Sequence, residues 1–126
     1  MPSEEQLAIV STSNPFASVA GVRAGAAPIL HPEPGLQRRI LTHSPTMMLV
    51  EHRMTRGWKG ARHSHPQEQM VYVLTGRLAF ICGQDRFEIA AGDSFIVPGG
   101  IEHEAAALEN CVVIDVFHPT RPDYVG

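Results

Sequence analysis

His63-Ser64-His65-Pro66-Gln67-Glu68-Gln69 is the segment that best indicates the fold of this chain, because it belongs to a longer pattern of glycines and metal-binding side chains. From Gly57 to Gly76 the pattern is G-x5-H-x-H-x3-Q-x6-G, and from Gly92 to His103 it is G-x5-P-x-G-x2-H. A short motif often arises by chance, but matched glycine, proline and histidine spacing in two halves seldom does. The pattern predicts that three imidazoles and one amide are offered to a single ion.

Strand geometry explains how these side chains would meet. Side chains alternate between the two faces of a strand, so His63, His65 and Gln69, all at odd positions, should point to the same side. His103 follows the strand-breaking segment Pro98-Gly99-Gly100 and would close the site from another strand. We therefore predict that His63, His65, Gln69 and His103 are the metal ligands.

The predicted ligands also restrict the metal and its chemistry. Imidazoles suit first-row transition metals, and a site with few protein ligands leaves positions open for water or substrate, as catalytic sites do. Because Gln69 brings no negative charge, a divalent ion would keep its full charge and act as a stronger Lewis acid. We expect one divalent transition metal ion (Zn, Ni, Fe or Mn) and favour non-redox chemistry.

The two motif halves resemble those of the cupin superfamily over about residues 36 to 122. This resemblance implies a jelly-roll β-barrel of antiparallel strands in two packed sheets, with the metal in the barrel mouth. The chain departs from the cupin pattern at two positions. Gln69 stands where most members have Glu, which weakens a dioxygenase assignment, and Ala107 stands where many have Asn.

A closer resemblance is to the pectin-degradation cupins, which open 4,5-unsaturated monouronates into linear ketonised sugar acids. It rests on His63 to Gln69, on Tyr72-Val73-Leu74-Thr75-Gly76 and on the tail Asp115 to Tyr124. The resemblance implies a metal held by three His and a Gln, and a pocket lined by the Asp, Phe and Arg of a D-x-F-x3-R tail. The matching residues are Asp115, Phe117 and Arg121, whereas Gln67 and His118 differ from the His and Ser of many members.

The tail residues have alternative interpretations that do not depend on any family. Asp115 lies in the apolar run Val112–Phe117, so it is either a structural acid paired with an arginine or with backbone N–H groups, or a general base. Arg121 would either bind a substrate carboxylate with its two-pronged guanidinium or be a solvated charge. Phe117 has the same parity as Asp115 and would belong to the core or to the pocket wall.

We therefore expect an enzyme with a non-redox, metal-dependent ring-opening or isomerase-type activity on an acidic sugar. The sequence is also compatible with two other functions. One is an iron-dependent dioxygenase of a small substrate, and the other is a cupin that binds a sugar or small acid without turning it over.

The spacing of apolar runs and turn residues predicts an all-β protein with one barrel domain. Residues 1–35, rich in Ser, Ala, Gly and Pro, are predicted to form an irregular N-terminal arm, and residues 36–126 the barrel. The predicted strands are Leu36–Leu41, Met47–Met54, Met70–Leu74, Arg77–Cys82, Arg86–Ile89, Ser94–Val97, Glu102–Ala107 and Val112–Phe117. No helix is predicted.

Charge and hydropathy limit the partners and the location. A net charge of −3 without a basic run argues against nucleic acid, and no apolar stretch approaches the ~20 residues that span a bilayer. Glu4 and Glu5 stand where a secretory signal would be basic, so we expect a cytoplasmic protein. We also expect a homodimer, with the run Met47–Val50 and Ile9-Val10 as candidates for the interface.

Overall fold

Antiparallel β-structure dominates residues 19–125, the part of the chain that the structure, a computed structural model, describes. In chain order the elements are β1 (Leu30–Glu33), β2 (Leu36–His43), β3 (Met48–Met54), β4 (Glu68–Thr75), β5 (Arg77–Cys82), β6 (Asp85–Ala90), β7 (Ser94–Val97), β8 (His103–Ala107), β9 (Cys111–His118) and α1 (Pro122–Val125). No helix in this range is long and apolar enough to cross a membrane.

The strands form two sheets. One has six strands in the order β1-β2-β3-β9-β4-β7, the other has three in the order β6-β5-β8, and the paired strands are antiparallel. The largest apolar cluster takes residues from both sheets, including Val73 and Val113 from the first and Leu78 and Ala107 from the second. The two sheets therefore pack face to face around one core, which confirms the predicted all-β jelly roll.

Alternation along β3 and β9 decides which side chains face the interior. In β3 the buried residues are every second one from Met48 to Met54, and in β9 they are every second one from Cys111 to Phe117. Each set is apolar except at one position, His52 in β3 and Asp115 in β9. The same alternation that builds the core thus brings one imidazole and one carboxylate inside the barrel.

The motif glycine Gly76 lies at the tight turn between β4 and β5. Its φ of 84° belongs to the left-handed region that side chains avoid, and a Cβ there would collide with the backbone carbonyl of Asn110 and with Cys111. This glycine is therefore required by the turn and by the close approach of residues 110 and 111, and not by the metal site.

The eight predicted strands are present, with ends shifted by no more than two residues. The segment predicted as an irregular arm, residues 1–35, contains an additional strand, β1, which pairs with β2. All four residues of β1 are exposed, so the sequence shows no alternation there. Pro32 lies within β1, where it is tolerated because β1 is an edge strand. Residues 19–29 contain no helix or strand, whereas residues 1–18 lie outside the described range, where the irregular arm stays a prediction.

Two further expectations need correction. Met48 and Val50, considered for a dimer interface, are 1% and 0% exposed and belong to the core, and Ile9-Val10 lies outside the described residues. The sequence also predicted no helix, whereas the four-residue α1 follows β9. A single turn of this length has no amphipathic period that a sequence pattern can reveal.

Candidate metal centre and pocket

Three imidazoles meet inside the barrel. His63, His65 and His103 each offer a ring nitrogen, and these atoms lie within 4.8 Å of one another. The backbones of two of them are paired, since His63 N donates to His103 O at 3.0 Å and His103 N donates to His63 O at 2.8 Å. His63 is exposed, whereas His65 and His103 are buried. The sequence motifs therefore place the three predicted imidazole ligands together, although not in the predicted way.

The strand geometry from which the common direction of His63 and His65 was predicted is not present. His63 forms an isolated bridge, His65 lies outside any strand, and only Gln69 belongs to β4. The chain bends at residues 66 and 67, where Pro66 has no N–H to continue a ladder and also restricts the residue before it. The side chains converge because backbone contacts hold the loop, and not because of strand parity.

The tautomer of each imidazole is defined by a backbone carbonyl two residues away. The Nδ1 atoms of His63, His65 and His103 contact the carbonyl oxygens of Ala61, Gln67 and Ile101 at 2.9, 3.0 and 2.8 Å. A carbonyl only accepts hydrogen bonds, so each Nδ1 carries the hydrogen and each Nε2 keeps a free lone pair. Burial lowers the pKa of both His65 and His103, which favours the neutral, ligating form.

Gln69 adds an oxygen to this set. Its Nε2 donates to Asp115 Oδ1 at 2.8 Å, and because a carboxylate only accepts, the amide oxygen must point the other way. That oxygen lies 3.1 Å from Nε2 of His65, so two lone pairs face each other when His65 is neutral. A cation between them removes the repulsion. The three imidazole nitrogens and the amide oxygen thus fit a divalent transition metal ion, with donors of the type such ions prefer.

Asp115 is 2% exposed, and both of its oxygens accept hydrogen bonds from side chains. Besides the Gln69 amide, the His52 Nδ1 lies 2.6 Å from Asp115 Oδ2. The structural alternative considered for this carboxylate, pairing with an arginine or with backbone N–H groups, is therefore not what the structure has. Its partners are an imidazole and the amide of a candidate ligand.

Arg121 is not a solvated charge, since its side chain is only 12% exposed. Its Nε and Nη2 donate to the two carboxylate oxygens of Asp123 at 3.3 and 2.8 Å, and its Nη1 donates to Tyr124 Oη at 2.9 Å. Phe117 is 1% exposed, packs with Met48 and Val50, and meets the His65 ring edge-on at 5.6 Å between centroids. Phe117 is thus both core and a neighbour of the imidazole cluster.

His52 and Arg38 are the residues that sequence reasoning did not place at the site. His52 is a buried imidazole whose Nδ1 contacts Asp115 and whose Nε2 accepts a hydrogen bond from Arg38 Nε at 2.9 Å. The inward parity of His52 in β3 was the available signal. Arg38 gave none, because β2 has no clear alternation of buried and exposed residues.

Apart from His65, the polar groups described above line one cavity of about 390 Å³. This volume lies in the usual range of about 300 to 1,000 Å³ for small-molecule sites. The polar part of its wall includes His63, His103, Gln69, Asp115 and Arg121. The apolar part comes from both sheets and includes Leu36, Met54, Val71, Leu78, Phe80, Ile89, Phe95 and Val113. The cavity can therefore hold a small molecule next to the three imidazoles.

The chain belongs to the cupin family: residues 50–117 match the family described as Cupin domain. This range includes all four predicted metal ligands and Asp115 and Phe117. Within the family, the chain is similar to cupins that are named for pectin degradation.

Two of these relatives are proteins called KdgF. The pectin degradation protein KdgF of Dickeya dadantii is 29% identical over 93 residues, which are 72% of this chain and 84% of the relative. The solved structure of KdgF from a Halomonas species is 35% identical, with a TM-score of 0.74 over 77% of this chain and 92% of that one. An RmlC-like cupin of Shewanella frigidimarina is 29% identical, with a TM-score of 0.80 over 85% of this chain and 96% of that one. These likenesses support a pectin-degradation cupin.

Proposed function

We propose that the chain is a metal-dependent enzyme that converts 4,5-unsaturated monouronates into linear ketonised sugar acids. The observation that carries this proposal is that the Asp115 carboxylate borders the same cavity as His63 and His103, two members of the three-imidazole cluster. The similarity to the KdgF proteins supports the same class of substrate. His63, His65, Gln69 and His103 would hold the ion, which when bound supplies Lewis acidity at an oxygen of the substrate.

The reaction is an isomerisation that needs no oxidant. The anomeric hydroxyl loses its proton, the bond between C1 and the ring oxygen breaks, and C1 becomes an aldehyde. The released ring oxygen belongs to an enol at C5, which becomes the ketone when C4 gains a proton. One proton leaves an oxygen and one is added to a carbon, so a single residue that accepts and returns a proton is sufficient.

Asp115 is our candidate for that residue. Each of its oxygens keeps a second lone pair after accepting one hydrogen bond, so the carboxylate can still accept a proton from a substrate hydroxyl. Its position in the apolar interior excludes water, which strengthens its interaction with a bound substrate. Phe117 would form part of the wall against which the sugar ring lies.

Arg121 would bind the substrate carboxylate, but its guanidinium is already engaged by Asp123. Asp123 is more accessible than its partner, with a side chain that is 60% exposed against 12% for Arg121. We infer that the substrate carboxylate replaces that of Asp123 on Arg121. The arginine would then be oriented before the substrate arrives, and the internal contact would compete with binding.

Asp123→Asn should therefore lower the KM for an unsaturated monouronate. Exposed ion pairs contribute up to about 1 kcal/mol, so the decrease should be about two- to fivefold, with little change in kcat. The measurement is a steady-state titration with substrate at saturating metal. Glu109→Gln is the matched control, because it removes an equally exposed carboxylate that pairs with Arg77. An unchanged or higher KM in Asp123→Asn would contradict the competition.

The experiment that tests the proposed function is turnover of an unsaturated monouronate by purified protein of known metal content. The conjugated enol acid absorbs in the near ultraviolet, so its loss can be followed directly. We expect acceleration over the spontaneous rate, loss of the acceleration with a chelator, and its return with a divalent ion. A fully loaded protein that does not accelerate the reaction would overturn the assignment.

We also propose that the protein forms a homodimer through the outer face of β4 and β7. Four large apolar side chains are about half exposed there: Met70, Tyr72, Leu74 and Ile96. Met70 and Ile96 are paired across the two strands, so the exposed groups form one strip, which we call the β4 strip. A second copy can cover the same strip in a closed two-fold dimer, the commonest soluble assembly.

Tyr72→Glu should weaken this dimer by at least tenfold, because the two-fold axis would place two new carboxylates in one apolar interface. Sedimentation velocity over a range of protein concentrations measures the change. Met47→Glu is the control, since Met47 is also exposed, at 56%, but lies outside the β4 strip. Equal dissociation constants for Tyr72→Glu and the unmodified protein would exclude this face.

A further inference from the structure

Four side chains from four strands form an unbroken hydrogen-bonded chain that ends at the imidazole cluster. Arg38 Nε donates to His52 Nε2 at 2.9 Å, His52 Nδ1 contacts Asp115 Oδ2 at 2.6 Å, and Gln69 Nε2 donates to Asp115 Oδ1 at 2.8 Å. A guanidinium only donates and a carboxylate only accepts. His52 must therefore accept with Nε2 and donate with Nδ1, so every hydrogen in the chain has one allowed position.

This series of hydrogen bonds determines which end of the Gln69 amide faces the imidazoles. The two ends of an amide have almost the same shape, so packing alone does not distinguish the oxygen from the nitrogen. Only the Asp115 carboxylate does so here, because it attracts the NH2 group and leaves the oxygen near His65. A turned amide would aim N–H groups at the imidazole cluster and would repel a cation.

The Asp115 carboxylate in turn depends on His52. Asp115 is 2% exposed, and its Oδ2 accepts a hydrogen bond from the Nδ1–H of His52. If this N–H were removed, Oδ2 would be buried without that donor. The carboxylate would be free to rotate towards another donor and away from the Gln69 amide. Arg38 holds the far side of His52, and its guanidinium carbon lies 3.9 Å from the centre of the Tyr124 ring. Each member thus restricts the next.

We propose that His52, supported by Arg38, is a positioning residue that makes Gln69 present its amide oxygen to the bound metal ion. The proposal rests on the metal site of the proposed function, but not on turnover. Outer hydrogen-bond partners of metal ligands typically change metal affinity by about 10- to 100-fold, so the effect is measurable by binding alone.

Two substitutions at position 52 separate the two hydrogen bonds of the imidazole. His52→Asn can place an amide N–H near the former Nδ1 and keep the donor to Asp115. His52→Gln reaches the former Nε2 instead, and so keeps a contact with Arg38 but loses the donor to Asp115. The probe is Ni²⁺ alone, titrated calorimetrically into the full chain after removal of bound metal.

We expect His52→Gln to bind Ni²⁺ about 10- to 100-fold more weakly than the unmodified protein, and His52→Asn to stay within about threefold of it. The visible spectrum of bound Co²⁺ should change in His52→Gln and not in His52→Asn, because the ligand set changes only in the first. Equal affinities of both variants and the unmodified protein would overturn the proposal. Equal losses in both variants would also overturn it, because they would indicate a general structural effect.

A second comparison tests whether the effect passes through Gln69. When Gln69 is already replaced by alanine, adding His52→Gln should lower the Ni²⁺ affinity by less than about threefold, because there is no longer an amide to orient. A full tenfold loss in that background would overturn the proposal. Turnover is not used, so an unmodified protein that binds Ni²⁺ but has no activity would reject the enzyme assignment alone. An unmodified protein that binds no divalent metal would reject both.

Discussion

Asp115→Asn should lower kcat for an unsaturated monouronate by about 10²- to 10⁴-fold, the usual contribution of a positioned general acid or base. Asparagine has nearly the same shape as aspartate, but it cannot accept a proton at the pH of the assay. It also has one acceptor oxygen for two donors, His52 and Gln69, so part of the amide orientation is lost. The metal should therefore be supplied in excess, and at saturation one ion per chain should remain bound.

The control for Asp115→Asn is the same chemical change at Asp85, an exposed carboxylate at the start of β6. This variant should keep the kcat of the unmodified protein. Metal content measured on the assayed samples separates a loss of chemistry from a loss of the ion. If Asp115→Asn keeps kcat within tenfold of the unmodified protein, another group moves the proton.

His63→Ala should abolish metal-dependent turnover, leaving only the spontaneous rate, and should weaken metal binding by more than the ~10- to 100-fold typical of outer-shell partners. The reason is that one of three converging imidazoles is removed. Of the three, His63 alone is exposed, so its loss leaves the core intact. Alanine also keeps the backbone hydrogen bonds between position 63 and His103, so the metal-free protein should unfold at nearly the same temperature.

A suitable control for this variant is His31→Ala, which removes another exposed imidazole, on β1 and away from the cluster. Elemental analysis after gel filtration and calorimetric titration give the metal content and the affinity. Stoichiometric metal with unchanged affinity in His63→Ala would show that the ion does not need this imidazole.

Much of the fold and of the candidate metal centre follows from local sequence patterns. The spacing from Gly57 to His103 identified the imidazoles that meet, and turn residues and apolar runs identified eight strands. The reason given for the convergence of His63 and His65 was wrong, since a loop and not a strand carries them. The motif predicts which side chains come together, but it does not predict the backbone conformation that positions them.

The polar chain from Arg38 to Gln69 could not be predicted, because its contacts are tertiary. Arg38 and His52 are 14 residues apart, His52 and Asp115 are 63 apart, and Gln69 and Asp115 are 46 apart. These contacts arise only when β3, β9 and β4 become neighbours in one sheet. The sequence indicates that the Asp115 carboxylate needs a partner, and parity places His52 on the inner face of β3, but neither pattern pairs the two residues. Long-range pairing of this kind depends on topology, which local periodicity does not encode.

The contact between Gln69 and Asp115 has a consequence for the evolution of such sites. A single change of Gln69 to glutamate would place a second carboxylate where 2.8 Å now separates an amide nitrogen from Asp115 Oδ1. Two carboxylates at that distance resist simultaneous ionisation, so the substitution would be penalised unless position 115 changed as well. A lineage that exchanges the neutral ligand for an acidic one should therefore substitute positions 69 and 115 together.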